Sequence, residues 1–160
     1  KNLKLEESDD VDAFWKLLKQ TAKQDQFSTH PKEYYEKMLE FFKDGKELRV
    51  RLFLVRCENR FIGGAIVMIY QDSAYYLHGA MDREYKNLMA PYFMHWEIIK
   101  LLKVEGCKFY DFWGIDNKKW PGVTRFKLGW GGDLKEYPGS FDLPISKLWY
   151  RTYSLARKIF

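Results

Sequence analysis

The stretch TRFKLGWGGDLKEYPGSFDLP, Thr124 to Pro144, sets one lysine, Lys127, between a phenylalanine and a glycine-rich aromatic turn. An ammonium in that setting has two uses. It can lay its methylene stem over aromatic surface while its head stays in water, or it can serve as a fixed positive charge. The local sequence by itself favours the first. Arg125, two residues earlier, projects to the same side only if the stretch is extended, and on a helical turn it faces elsewhere. Asp111, in YDFWG, ends an apolar segment in which an unpaired carboxylate would cost several kcal/mol. It must therefore find a partner or reach a cleft, and accepting N–H groups from the loop after Gly114 is a better-supported role for it than general base. Tyr75, Tyr76, Tyr110 and Trp113 read mainly as core, with hydroxyls able to line a channel. His78, in YLHGA, reads as a satisfied core or edge histidine.

Metal chemistry has little support. His30, His78 and His95 are scattered, and a zinc site needs closely spaced ligands. Cys57 and Cys107 stand far apart without a CxxC motif, which reads as two reduced thiols of a cytosolic protein. No apolar run approaches the ~20 residues that a membrane helix requires, and KNLKLEESDD lacks the apolar segment of a secretory signal. The net charge of +5 is unevenly placed. The N-terminal dozen residues are acidic, whereas Ser146 to Phe160 holds Lys147, Arg151, Arg157 and Lys158 and no acid. Such an end is a solvated amphipathic helix or a surface for phosphates.

With 160 residues, of which 46% are hydrophobic, the chain has material for a single packed domain. Its elements are readable from period and punctuation. DDVDAFWKLLKQTAKQD predicts a helix capped by Asp9 or Asp10 and running to about Gln24. STHPKEYYEKMLEFFKDG predicts a second, capped by Thr29 or His30 and closed by Gly45. Two helices thus precede any strand. ELRVRLFLVRCENRFIGGAIVMIYQDSAYYLHGAM then reads as an antiparallel meander of three strands with turns at Glu58-Asn59 and Gln71 to Ser73. Gly63-Gly64 marks a bulge or a close backbone approach. A helix entering at Pro91, apolar almost all round, ends at Gly106. CKFYDFWG is a short buried strand, a helical turn covers Val123 to Leu128, and LKEYPGSFDLP reads as one more strand before the basic terminal helix.

This order matches an α+β domain of the acyltransferase fold called GNAT, a mixed and mainly antiparallel sheet flanked by helices. Most such enzymes hold the acetyl-CoA pyrophosphate with a glycine-rich loop at a helix N-terminus, where backbone N–H groups face the anion. The equivalent stretch here, REYKNLMAPY, has no glycine, which argues against an ordinary acetyl-CoA site.

Taken together, YYLHGAMDREYKNLMAPYFMHWEIIKLLKVEGCKFYDFWGI and GVTRFKLGWGGDLKEYPGSFDLP resemble the second GNAT-like domain of the Fem (FemABX) aminoacyltransferases, which build peptidoglycan bridges. LLKQTAKQDQFSTHPKEYY resembles that family's entry into the domain, so the likeness covers nearly the whole chain. Two departures are Gln24, where arginine is usual, and Trp130, which replaces a phenylalanine.

The resemblance implies an enzyme that transfers an amino acid from aminoacyl-tRNA to the stem-peptide amine of a lipid-linked or UDP-linked peptidoglycan precursor, with no metal and no tightly held cofactor. It implies that Lys127 is the catalytic cation beside an oxyanion or phosphate, held by packing from Phe126 and Trp130. Phe126, Arg125, Lys86, Asn87, Tyr92, Asp111 and Tyr76 are the implied substrate-binding residues, with Pro91 and Arg83 in the same loop and helix start. For Lys86, Asn87 and Tyr92 a plain capped helix entry is the competing reading. Fem enzymes carry two GNAT-like domains, so residues 1–145 would form one of them and 146–160 a basic helix that packs on a partner domain. A cytoplasmic protein at the inner face of the membrane is expected. Two alternatives stand beside this reading: a single-domain CoA-dependent N-acyltransferase, and a non-catalytic module that binds tRNA or a cell-wall precursor.

Overall fold

Three strands form the centre of the fold: β2 (Leu48–Cys57), β3 (Arg60–Tyr70) and β4 (Ser73–Met81). They are the expected antiparallel meander, joined at Glu58-Asn59 and Gln71-Asp72. Glu58 and Gln71 each take a positive φ, of 56° and 55°, as the tight turns that match strand twist require. The computed structural model describes residues 2–139 and 141–159.

Contrary to expectation, a strand comes first. β1 (Leu3–Ser8) pairs antiparallel with β2, from Leu3 opposite Cys57 to Ser8 opposite Leu52. Its own pattern is weak: Leu3 and Leu5 reach the core, but the rest is polar. The pairing supplies what propensity does not, because Glu6 binds the Arg56 guanidinium at 2.7 Å and Glu7 binds Arg51 at 2.7 and 2.5 Å. At the other side, β5 (Phe109–Asp111) adds to β4 in parallel, giving the order β1-β2-β3-β4-β5. β5 is not the buried strand expected; Phe109 is 64% exposed, and Tyr110 and Asp111 are half-buried.

Alternate residues of β2 feed two cores. Val50, Leu52 and Leu54 face α1 (Val11–Asp25) and α2 (Lys32–Phe41), where they meet Phe14, Leu17, Leu18 and Tyr35. Phe53 and Val55 face α3 (Ala90–Val104), where they meet Ala90, Met94, Ile98 and Leu102. Each fully buried side chain of this kind contributes ~1.5–3 kcal/mol of transfer free energy, so the sheet is held from both faces. Gly64 permits the close approach of α1, since a Cβ there would lie 2.8 Å from Leu54 Cδ2 and 3.0 Å from Phe14 Cδ2. The register slip beside it falls between Val55 and Arg56, opposite Ile62, so both readings of the glycine pair hold.

Helix starts follow their caps. The Asp10 carboxylate accepts the Ala13 N–H at 2.9 Å and opens α1, as expected. Pro31, rather than Thr29 or His30, occupies the cap position of α2, with no side-chain bond. Its fixed φ suits a helix start without one. A 3-10 helix, Arg83–Leu88, leads into α3 with Pro91 in its first turn. α3 is apolar almost all round, as expected, but buried on one face only: Trp96 and Val104 are exposed.

The chain divides into two compact units, one through Lys127 and one from Leu128 onward. The sheet and α1 to α3 lie in the first, and α4 (Pro121–Leu128) closes it. In the second, the residues from Gly129 to Ser146 that are described form no strand. The segment expected to be one holds Pro138 and Pro144, which cannot donate to a ladder, and Ser140 lies outside the described residues. α5 (Lys147–Ile159) follows, with Tyr150 Oη donating to the Asp142 carboxylate at 2.9 Å. Leu148, Trp149, Tyr153 and Leu155 are exposed on it. No described helix is long and apolar enough to cross a membrane.

Candidate functional site

The sheet opens where β4 and β5 part. Their parallel pairing holds for Ser73 with Phe109, Ala74 with Tyr110, and Tyr75 with Asp111; β4 then continues to Met81 while β5 ends. One residue later β4 carries a bulge, because Val67 lies opposite Tyr76 and Ile66 opposite His78, leaving Leu77 over. A bulge bends its strand and re-aims neighbouring side chains. Gly79 completes the local geometry: a Cβ there would fall 1.6 Å from Tyr76 Oη, so only glycine lets that phenol lie along the strand.

The loop after β5 turns sharply. Asp111 Oδ1 accepts the Trp113 N–H at 2.6 Å, so the donor comes from before Gly114 and not after it. Trp113 adopts φ 66°, a left-handed conformation that costs a bulky residue ~1–2 kcal/mol. It is 53% exposed, not core, and packs its ring edge-on to Tyr75 at 6.0 Å. Beyond it, the Asp116 carboxylate accepts the N–H groups of Lys118 and Lys119, both at 2.9 Å. The Asp116 N–H in turn donates to Thr124 Oγ1 at 3.2 Å. Buried Thr124 thereby ties α4 to the loop.

Three residues on, and so on the same helix face, Lys127 makes the second tie. Its Nζ donates to the Gly114 carbonyl at 2.8 Å and lies 5.7 Å from the centre of the Tyr76 ring. Lys127 is half-buried. Burial pulls its pKa below the ordinary lysine value, and the Asp111 charge acts in the opposite direction. Its environment is thus a cation held partly out of water, against an aromatic face and a carbonyl dipole.

Beneath it lies a layer of rings. Phe126 packs against Tyr92 at 4.9 Å, His95 at 5.6 Å and Phe112 at 6.3 Å. His95, fully buried on α3, meets Tyr76 edge-on at 4.4 Å, and its Nδ1 lies 2.8 Å from Tyr110 Oη. Burial, helped by the Lys127 charge, pushes the His95 pKa down to about 3. The same burial pushes Tyr76 up to about 12 and raises Tyr110 further. All three are therefore neutral near pH 7.

Of the residues singled out in the sequence, the structure brings together Lys127, Phe126, Tyr76, Tyr92 and Asp111. Arg125 is exposed on another face of α4, as the helical alternative required. Lys86 and Asn87 are exposed on the 3-10 helix. Arg83, in the same element, pairs with Asp25 at the end of α1. His78 is half-buried against Tyr35 at 5.1 Å, with its pKa lowered by burial and then by His30. Sequence reasoning missed His95, Gly114, Asp116 and Thr124; only the Asp-Asn pair after a strand hinted at the Asp116 turn. Two surface depressions, of about 450 and 630 Å3, are lined by other residues, Arg51 and Glu105 in one and Met38 and Phe41 in the other. Cys57 and Cys107 are free thiols.

Solved structures share this fold. FemX aligns with a TM-score of 0.67 at 18% identity, over 73% of this chain and 46% of that one. An aminoglycoside acetyltransferase from an uncultured soil metagenomic sample aligns at 0.62 and 16% identity, over 88% of this chain and 96% of that one. In sequence, the chain is 32% identical over 96 residues to the lipid II:glycine glycyltransferase of Staphylococcus haemolyticus strain JCSC1435, and 30% identical over 99 residues to that of Staphylococcus aureus strain USA300. These alignments take in 57% and 59% of this chain but 23% and 24% of the relatives, so the chain spans about a quarter of their length. The FemAB family pattern matches residues 2–52 and 56–158. With the family's pattern running through both of its compact units and the GNAT fold beneath it, the chain belongs to the FemAB family.

Proposed function

We propose that this chain is the GNAT-like domain of an aminoacyltransferase that joins an amino acid from aminoacyl-tRNA to the stem-peptide amine of a peptidoglycan precursor. The observation that carries the proposal is the half-buried Lys127 ammonium at the point where β4 and β5 part. In the reaction the acceptor amine attacks the ester carbonyl of the charged tRNA. The new C–N bond forms as the carbonyl electrons move to oxygen, and the tetrahedral oxyanion then expels the tRNA ribose oxygen, which leaves with the proton that the amine loses. A charge fixed before reaction stabilises that oxyanion without reorganisation, an effect worth ~3–4 kcal/mol for one donor. Lys127 supplies the charge; Tyr76 and Phe126 hold it, and Gly114 is the carbonyl it leaves for the oxyanion. Exposed Tyr92, with Lys86 and Asn87 nearby in sequence, contacts the precursor's polar portion, and Asp111 sets the loop and balances Lys127.

The glycyltransferase relatives are named for lipid II, which supports a lipid-linked acceptor and, with it, work at the inner membrane face. The exposed apolar side chains of α5 suit packing on a second domain of the natural protein. The test is transfer from charged tRNA to lipid-linked and UDP-linked muropeptide by the full-length protein, parent against Lys127→Ala. Unchanged turnover in the variant removes Lys127 from the chemistry.

One observation favours a second reading. The acetyltransferase neighbour matches over nearly its whole length, as a self-sufficient CoA-dependent N-acyltransferase would. A rise in Tm with acetyl-CoA, by mass action on a folded site, would select it. REYKNLMAPY, without glycine before α3, weighs against that outcome.

A further inference from the structure

His95 is a buried polar group that the transfer chemistry above leaves unused. It is fully buried on α3, yet its surroundings join three elements outside that helix. Its ring touches Tyr76 on β4, whose face Lys127 overlies, and Phe126 on α4, the residue before Lys127. It also touches Tyr110 on β5 and Phe112 in the loop that runs on to Gly114, the carbonyl acceptor of Lys127. Each of the three supports of the Lys127 side chain therefore rests on one imidazole.

We propose that His95 is the positioning residue of the site, holding Lys127 at the parting of β4 and β5 through Tyr76, Phe126 and the Tyr110–Gly114 segment. The inference rests on the assignment of Lys127 to the reaction only for its functional consequence; the positioning itself is independent of it. Two properties suit histidine to the place. Its Nδ1 satisfies the half-buried Tyr110 hydroxyl, which a hydrocarbon ring of similar size would leave without that partner. It also brings no charge near Lys127, because the imidazole stays neutral through the working pH range. Among the described residues, the ionisable groups facing the cluster include Tyr92 on α3 itself, Tyr76 from β4, Tyr110 and Asp111 from β5, and Lys127 from α4; burial keeps Tyr76 and Tyr110 neutral near pH 7.

The experiment follows the Lys127 amine directly. Reductive methylation with 13C-formaldehyde makes lysines visible by NMR, and a Lys127→Arg variant assigns the resonance. In the parent, Lys127 titrates below the ordinary lysine range. In His95→Phe, which keeps a ring but loses the Tyr110 bond, the titration moves up toward that range as the ammonium gains water. Tyr110→Phe moves it in the same direction by less, and it carries the test if His95→Phe fails to fold. His95→Asn, whose amide can reach Tyr110, moves it less than Phe. Transfer in the full-length variants falls ~10-fold or more in kcat with little change in KM, as for misplacement of a catalytic group. A titration that moves while transfer stays level supports the positioning and removes Lys127 from the chemistry. An unmoved Lys127 titration in folded His95→Phe or Tyr110→Phe overturns the proposal, whatever the activity.

Discussion

The ammonium nitrogen of Lys127 lies 2.8 Å from the carbonyl oxygen of Gly114, so the last turn of α4 is tied to the loop that leaves β5. That carbonyl is a replaceable partner. Gly114 is exposed, and water can satisfy it when the lysine turns to a substrate oxygen. A ground-state contact that is exchanged for a stronger one in the transition state raises kcat. Lys127→Ala should therefore lower kcat/KM for transfer by ~10²–10³, with Tm within a few degrees of the parent because no apolar core is cut. A rise in KM alone, with kcat unchanged, would show Lys127 binding substrate without acting on the reacting carbonyl.

The same lysine should cost stability where it is charged. Its folded pKa lies below the ordinary value of 10.5 because of burial. Below the folded pKa both states bind the proton, and the penalty for holding the cation in the fold is fully present. As pH rises from there toward 10.5, the unfolded chain alone keeps the proton, and the penalty is relieved. Lys127→Met should thus raise Tm near pH 7, and its advantage should shrink on approach to pH 10. Tm measured by calorimetry across that interval checks it; a constant difference would mean that the folded pKa of Lys127 is not lowered.

His95 gives a dependence of the same sign in a lower pH window. Its folded pKa of about 3 lies below the ordinary 6.5. As pH falls through 6.5 the unfolded chain takes up a proton that the fold refuses, so stability declines from there down to about pH 3, by on the order of a few kcal/mol. His78, also lowered by burial, adds to the same window. The upper part of the decline, above pH 5, precedes the protonation of ion-paired Glu6 and Asp72, whose pKa values are lowered by Arg56 and Lys108. Unfolding in urea at pH 7.0 and 5.0 should show the loss in the parent and a smaller one in His95→Asn. Equal losses would assign it to other groups.

How far the sequence revealed the molecule follows from the range of each signal. β2, β3 and β4 were legible because alternation and turn residues act within a few positions, and Asp10 capped α1 for the same reason. β1 was not, since its strand character comes from Arg51 and Arg56, far along the chain. LKEYPGSFDLP looked extended, but extended residues without a ladder partner are not a strand. Lys127 drew notice through its aromatic setting and a family likeness. His95 did not, because its neighbours in sequence are ordinary helix residues; its partners Tyr76, Tyr110 and Phe126 come from three other elements that only the fold joins to α3.

Arg51 offers a stability test away from the site. Its side chain is only 12% exposed and bridges Glu7 of β1 and Glu105 at the end of α3. Arg51→Met would keep most of the stem packing but leave two carboxylates facing each other without their shared partner. A loss of ~2–4 kcal/mol is expected in chemical denaturation, as for other broken, partly buried pairs. Glu105→Gln, which relieves one of the two negative charges, should recover part of it in the double variant. Additive losses would show that the three groups are not coupled.

Two glycines separate damage to the fold from damage to the site. A Cβ at Gly64 meets Leu54 and Phe14 between β3 and α1, whereas a Cβ at Gly79 meets the Tyr76 phenol, with Oη at 1.6 Å and Cζ at 2.6 Å. Both alanine variants overpack and should lose ~1–3 kcal/mol. They should differ in what else changes. In Gly79→Ala the Tyr76 ring must swing away, and with it the aromatic face 5.7 Å from Lys127 Nζ; transfer should fall several-fold beyond any loss from unfolding, and the Tyr76 phenol should titrate lower as it gains water. Gly64→Ala should leave both unchanged at temperatures where the variant is folded. If the two variants lost transfer equally at matched stability, Tyr76 would have no part in holding Lys127, and the site would need another floor.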